Sequence, residues 1–550
     1  MPDSLFKTDP STGDFRIEIP EFYNFGFDVI DKRAELTPDK TALIFVDTDG
    51  ETDARFTYRD LSEMSARFAG VLKKHGFTKG DKLYVMIPRV PEWYAVMLGC
   101  FKMGVVPMPA PKILQPNDIN YRIAASGAKG AAVYHDCLEK MQKCNLNNLD
   151  GKIAVGAECE GWISYENEMQ TISPAFTRED AEPTLSTDPL IMYFTSGTTK
   201  FPRMVLHDQT YALGHYITAR FWQDLTENDI HWTLSDTGWG KAVWGKMFGQ
   251  WIIGTTVLMH NAADHFEPEK HLYIMEKYGV TTFCAPPTAY RMIILQDLAK
   301  YDFTKLRHSV SAGEPLNPEV IRIWKENTGT TIYDGYGQTE TVNTIANCPA
   351  FEIRFGSMGK PTPGFNIDVV DDDGLPMPAG ETGHIAIECS SGHPVGLFHG
   401  YYNDEESTKE AFRNGWYFTG DKAYKDADGY FWFVGRSDDV IKASGYRVGP
   451  FEVESALQSH GAVAENAVVG SPDPIRGTIV KAFVVLKKGY EPSAELIKSL
   501  QEHVKKETAP YKYPREIEFV DSLPKTVSGK IRRVDLRQRE EAKHADMIKE

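Results

Sequence analysis

The chain has 550 residues, a net charge of −17 and an isoelectric point near 5.4. That length exceeds what one hydrophobic core organises, so two or more domains are expected, and 42% apolar with 25% charged residues excludes a disordered chain. The acidic balance disfavours a nucleic-acid partner, whose binding needs a basic footprint, but it leaves room for an anionic nucleotide held by local amides and a few cations.

At the N-terminus, MPDSLFKTDPSTGDF is polar and lacks the apolar stretch of a signal peptide. Residues 60–72 read as a helix: Asp60 caps it, Glu63 completes a capping box, and Leu61, Met64, Phe68, Val71 and Leu72 share a face. Short apolar runs follow at 83–87, 105–109 and 131–135, alternating with helical stretches, which is the rhythm of a parallel sheet covered by helices. Residues 190–194 (LIMYF) read as a buried strand leading into a polar loop at 195–203. FWFVG (431–435) and DVIKA (439–443) read as a hairpin, and Pro450 opens a helix at its first turn. ENAVVGSPD and KAFVVLKKG then read as strands, and SAELIKSLQEHVKKE as a helix. The best boundary is RSDD at 436–439, giving a large α/β domain over 1–437 and a small α+β domain over 438–550. No run of about 18 apolar residues is present, so no spanning helix is expected. The cysteines at 100, 137, 144, 159, 284, 348 and 389 are scattered without a Cys-x-x-Cys, so neither a disulfide framework nor structural zinc is expected. His260, His265 and His271 fit no usual metal spacing. These features together give a cytosolic expectation.

The loop Thr195-Ser196-Gly197-Thr198-Thr199-Lys200-Phe201-Pro202-Arg203 carries the strongest chemical signal. Glycine lets backbone N–H groups approach an anion, hydroxyls donate to phosphate oxygens, and Lys or Arg neutralises charge. A solvated Thr-rich turn would look similar in isolation. It is not a Walker loop; a partial match at Gly240–Lys246 is rejected because Met247 replaces the magnesium-binding hydroxyl and no clear strand precedes it.

The loop resembles the phosphate loop of the adenylate-forming (acyl-AMP) superfamily, usually Thr-Ser-Gly-Thr-Thr-Gly-x-Pro-Lys, with Lys200 in place of a glycine and Arg203 in place of the lysine. Arg203 keeps the charge, whereas Lys200 gives up a glycine's backbone freedom. Further segments follow in that family's order. Gly313-Glu314-Pro315 resembles the adenine segment, and Asp334-Gly335-Tyr336-Gly337-Gln338-Thr339-Glu340 the nucleotide motif, with Thr339 on phosphate and Glu340 on Mg²⁺. The resemblance implies that Asp421 and Arg436 hold the ribose, Asp438 is a hinge, and Ser444-Gly445-Tyr446-Arg447 line the route of coenzyme A. Lys530, after Gly529, would be the catalytic lysine. Arg476, Lys505 and Lys512 are candidates for the CoA phosphates. Trp239 is read either as core or as a wall of the acyl pocket, and Gly337 stands where acetate-using relatives carry a tryptophan.

The group resembled most is the medium-chain acyl-CoA synthetases. The implied reaction is AMP-forming acid–CoA ligation with ATP, Mg²⁺ and CoA. A carrier-protein loading enzyme, a luciferase-like oxygenase and an acyl-nucleotide sensor are rivals. No carrier domain with its modification serine is fused here, and a sensor would be expected to lack Lys530 or Glu340. Oligomeric state is left open, a homo-oligomer included.

Overall fold

A computed structural model describes residues 2–8, 15–195, 202–262, 266–436, 439–443, 446–473, 477–508, 510–526 and 530–543. A nine-stranded sheet is its spine, running Lys360–Pro361, Asn343–Ala346, Ile332–Gly337, His308–Ala312, Thr282–Ala285, Ile230–Thr233, Thr256–His260, Thr41–Val46, Asp53–Thr57. From Ile332–Gly337 to Thr41–Val46 the pairing is parallel, and at both ends it turns antiparallel. Parallel strands are buried on both faces, which is why Thr282–Ala285 and His308–Ala312 are buried throughout.

The apolar runs near 83, 105 and 131 form a second, parallel sheet in the order Val106–Pro109, Lys82–Met86, Gly130–Tyr134, Gly151–Val155, Ile163–Ser164. Helix Pro91–Met103 is buried from Trp93 onward, joining this sheet to the first through contacts such as Tyr94 against Trp251. An antiparallel sheet follows, built on Trp416–Lys425 with Thr382–Glu388 and Phe431–Arg436 at its sides.

After residue 446, Val463–Asp473, Gly477–Leu486 and Glu516–Phe519 form a three-stranded sheet with its own apolar cluster, covered by Pro450–Gln458 and Ala494–Glu507. This part seats closely on the rest: a Cβ on Gly449 would stand 2.4 Å from Val434 O, so only glycine allows the approach. Asn317 Nδ2 also donates to Ser455 O at 3.3 Å.

Two local expectations are corrected. The helix at 60–72 spans Tyr58–Lys74, and its cap is Thr57, whose hydroxyl accepts from Asp60 N while the Asp60 carboxylate takes Thr57 N. Asp60 is thus the box's third position, not its cap. Phe431–Arg436 does not pair with the next strand; it joins Trp416–Lys425, and Ile441–Ala443 pairs with Tyr446–Val448. The longer partner won because it is a ten-residue strand already inside a sheet. Among the described residues, no helix is long and apolar enough to cross a membrane.

Candidate active site

Ligands of open α/β sheets bind outside the carboxyl ends of the strands, and the sequence-derived site residues gather there. Strand Pro189–Phe194 delivers Thr195, whose N–H donates to Arg203 O at 2.9 Å and closes the neck of the loop. Ser196, Gly197, Thr198, Thr199 and Lys200 lie outside the described residues, as do Asp438, Ser444, Gly445 and Arg476. The Arg203 guanidinium lies over the Tyr401 ring at 5.0 Å, and the Tyr401 hydroxyl donates to Glu340 Oε1 at 3.0 Å. Tyr401 therefore brings the loop's cation beside the candidate magnesium carboxylate. Burial pushes the Glu340 carboxyl up, opposed by the Tyr401 hydrogen bond and by Arg436.

Magnesium is a hard cation that takes one or two carboxylates and fills its octahedron with phosphate oxygens and waters. Glu340 fits that need: Tyr401 occupies one oxygen, leaving the other for an ion.

Thr339 is positioned through its backbone. Its carbonyl accepts from His207 Nε2 at 2.7 Å, and that ring stacks on Tyr211 with centroids 3.7 Å apart. Burial lowers the His207 pKa to about 4, so the ring is neutral at pH 7 and serves as a rigid donor.

Asp421 is buried opposite Arg436 in the strand register. Its Oδ2 accepts from Tyr336 Oη at 2.6 Å and from Gln338 Nε2 at 2.8 Å, and Tyr417 Oη holds Gln338 Oε1 at 2.9 Å. Two donors converge on one oxygen, which leaves Oδ1 for ribose hydroxyls. Burial raises the Asp421 pKa, while Tyr336, Arg436 and Lys530 each oppose the rise.

Asp334 behaves differently. Buried, with backbone N–H groups of Leu316 and Gly335 on its carboxyl, it is pushed up to about 8. It thus fastens the Gly313–Leu316 segment to strand Ile332–Gly337. Gly313 has φ +107°, in the region that favours glycine, and turns Glu314 toward Thr288 and Arg291 at 3.3 and 3.4 Å.

Lys530 is exposed, its N–H donating to Thr526 Oγ1 at 3.0 Å, and its charge reaches both Asp421 and Lys241. Lys505 is paired with Glu502 at 2.7 Å and Lys512 with Glu452, so neither is a bare cation.

The rejected Walker match is helix Gly240–Lys246, preceded by Trp239. Gly337 has a backbone reason to be glycine: a Cβ there would stand 2.5 Å from Val342 O, irrespective of any pocket. Sequence reasoning missed Tyr401, Tyr417, His207 and Lys241.

Residues 30–402 match the AMP-binding enzyme family model, and residues 452–530 match the AMP-binding enzyme C-terminal domain. The chain is 43% identical to acyl-coenzyme A synthetase ACSM3, mitochondrial, of Rattus norvegicus, over 98% of this chain and 94% of the relative. It is 47% identical to 4-hydroxybutyrate–CoA ligase 1 of Metallosphaera sedula, over 92% of this chain and 88% of the relative. The crystal structure of the anthranilate CoA ligase AuaEII in complex with anthranoyl-AMP superposes with a TM-score of 0.88 at 31% identity, covering 96% of this chain and 99% of that one. The rat relative is a mitochondrial enzyme, as are its human counterparts, and this overturns the cytosolic expectation.

Proposed function

The chain belongs to the AMP-binding enzyme family, and from that premise we propose that it converts a medium-chain or branched carboxylic acid, ATP and CoA to acyl-CoA, AMP and pyrophosphate through an acyl-adenylate. One observation carries the reading: Lys530, far along the chain from the nucleotide motifs, lies within electrostatic reach of Asp421. A mobile ammonium beside the ribose carboxylate suits a step in which negative charge gathers on the α-phosphate.

In the first half-reaction the acid's carboxylate attacks the α-phosphorus and pyrophosphate leaves. Catalysis there is mostly positioning and charge neutralisation. Asp421 and Arg436 hold the ribose, Asp334 fixes the adenine segment, Arg203 and loop 195–203 take the departing phosphates, and Lys530 bridges carboxylate and α-phosphate. Mg²⁺, held by Glu340, supplies further neutralisation of phosphate charge when bound.

In the second, the CoA sulfur attacks the acyl carbon and AMP leaves. Residues 438–550 then turn about Asp438 relative to 1–437, withdrawing Lys530 and presenting Ser444–Arg447 to the pantetheine. Such a change needs only a few residues to alter their backbone angles. Lys505 and Lys512 reach CoA phosphates only by giving up Glu502 and Glu452. The test is a panel of carboxylic acids assayed for AMP and acyl-CoA together. AMP without acyl-CoA, or oxygen uptake in place of CoA consumption, would replace this reading by a rival.

A further inference from the structure

Helix Gly240–Lys246 buries Ala242, Val243, Gly245 and Lys246, while Trp239, Gly240, Lys241 and Trp244 stay partly open. Gly240, Lys241 and Trp244 share a helical face. Lys241 Nζ donates to Ala312 O at 2.5 Å, lies 5.7 Å from the Trp244 ring centroid, and is 3.5 Å from where a Cβ on Gly313 would sit. Ala312 ends strand His308–Ala312, and Gly313 begins the adenine segment. The ammonium therefore stands between the Trp244 ring and the start of the Gly313 segment.

An ammonium carries three donors. Among the described residues, Ala312 O is the hydrogen-bond acceptor Lys241 has. The groups that face it do not complete the set. Burial lowers the lysine's pKa, Cys284 opposes that, Lys530 adds to it, and Glu314 and Asp334 attract the charge without a hydrogen bond to it. A plain alkyl chain laid over this end would strip water from the remaining donors and return no acceptor, and a buried unpaired donor is costly.

We propose that Lys241 reads the distal end of the acid, so that the enzyme favours a short carboxylic acid bearing a hydroxyl or carbonyl oxygen at its far end over the alkanoate of the same size. This rests on the ligase reading above, with Trp239 and Trp244 as the acyl wall. The distal oxygen accepts from Nζ, and its chain length is set by the distance from that atom to the α-phosphate.

The experiment measures kcat/KM for AMP release with isosteric pairs: 3-hydroxypropanoate against butyrate, 4-hydroxybutyrate against pentanoate, 5-hydroxypentanoate against hexanoate. A charge-assisted hydrogen bond gives the hydroxy acid an advantage of about tenfold or more in one pair. In Lys241→Met that ratio falls by about tenfold, and Lys241→Gln, which keeps a donor, restores part of it. Wild-type enzyme that prefers the alkanoate in every pair overturns the inference, whatever the variants do. So does a Lys241→Met enzyme whose KM for ATP rises while the pair ratio stays put, because the lysine then serves the nucleotide. AMP release with none of these acids would instead overturn the ligase reading itself.

Discussion

Tyr336 donates its hydroxyl to Asp421 Oδ2 at 2.6 Å, tying the end of strand Ile332–Gly337 to strand Trp416–Lys425 of a different sheet. Gln338 adds a second donor to the same oxygen at 2.8 Å. The carboxylate is thus oriented before any nucleotide arrives. Asp421→Ala takes the carboxylate acceptor from Tyr336, a donor worth about 1–3 kcal/mol if left unsatisfied, leaves Gln338 Nε2 with Thr419 O at 2.8 Å, and removes the ribose acceptor. Its KM for ATP is expected to rise about tenfold or more, with lower thermal stability. Tyr336→Phe removes one donor and should do less of both. Unchanged ATP kinetics in Asp421→Ala would reduce this carboxylate to packing.

Lys530→Ala is expected to abolish adenylate formation while largely sparing thioester formation from a supplied acyl-adenylate. The lysine's charge is needed where the α-phosphate collects negative charge, and it lies near Asp421 in this arrangement. Separate single-turnover assays decide it. Equal loss of both steps in a folded variant rules out alternation between two domain positions.

The hinge gives the opposite asymmetry. Asp439, one residue past the proposed pivot, accepts from Arg537 and stands 4.0 Å from Arg533. The chain after the pivot is therefore bound to helix Arg533–Lys543, which follows Lys530. A turn at Asp438 carries Lys530 with it. Asp438→Pro, by fixing φ, should slow thioester formation more than adenylation; a larger effect on adenylation argues against the pivot.

What the sequence made legible was what repeats locally. The parallel strands at 83–86 and 131–134 and helix Ala494–Glu507 follow from apolar runs and a Ser493 cap. Pairing was less legible, because Phe431–Arg436 found its partner at Trp416–Lys425 through tertiary packing rather than a turn. Motif order singled out Asp421 and Glu340 as candidates, but not the groups that orient them. Tyr401 lies outside the motifs and Tyr417 sits four residues before Asp421 with nothing local to mark it, and only folding brings their hydroxyls to Glu340 and Gln338. Lys241 was visible only as a variable position of a failed Walker match whose own lysine is Lys246, and its meaning depends on Ala312 O lying 2.5 Å away.

Six buried histidines set the acid limit of the fold. Burial lowers His207, His271 and His308 to about 4, His231 and His260 to about 3, and His215 well below the usual imidazole range. Each is neutral in the native state but binds a proton near pH 6.5 once unfolded. The unfolded chain therefore holds more protons between about pH 6.5 and 4, and stability falls as pH falls through that window. Asp334, raised to about 8, works the other way by favouring the native state as pH drops. Burial also raises the carboxyls of Asp28, Glu92, Glu340 and Asp421, but the six lowered rings outnumber the five raised carboxyls, so the melting temperature should fall from pH 7 to pH 5. Asp334→Asn should steepen that fall by removing an opposing group. A melting temperature that is flat or rises toward pH 5 contradicts the assignment.

Acid size is the remaining question. The resemblance places a tryptophan where Gly337 stands in relatives that use acetate, and we propose that its absence opens the acyl side, although the backbone has its own reason for glycine. Strand pairing slips between Tyr336 and Gly337, and a Cβ at 337 would press on Val342 O at 2.5 Å. Gly337→Trp can therefore narrow the cavity only by moving the strand that carries Gln338 and Glu340. It should lower activity with every acid as well as shift preference toward acetate and propionate, so the wild-type series is the cleaner measurement. Each methylene buried against Trp239 and Trp244 contributes about 0.8 kcal/mol, or roughly fourfold in kcat/KM. The specificity constant should climb from acetate through butyrate and 2-methylbutyrate toward hexanoate, with benzoate probing width, until the wall is reached. Lys241 sets a polar end to that climb, so a plateau short of hexanoate agrees with both readings. Acetate as the best substrate agrees with neither.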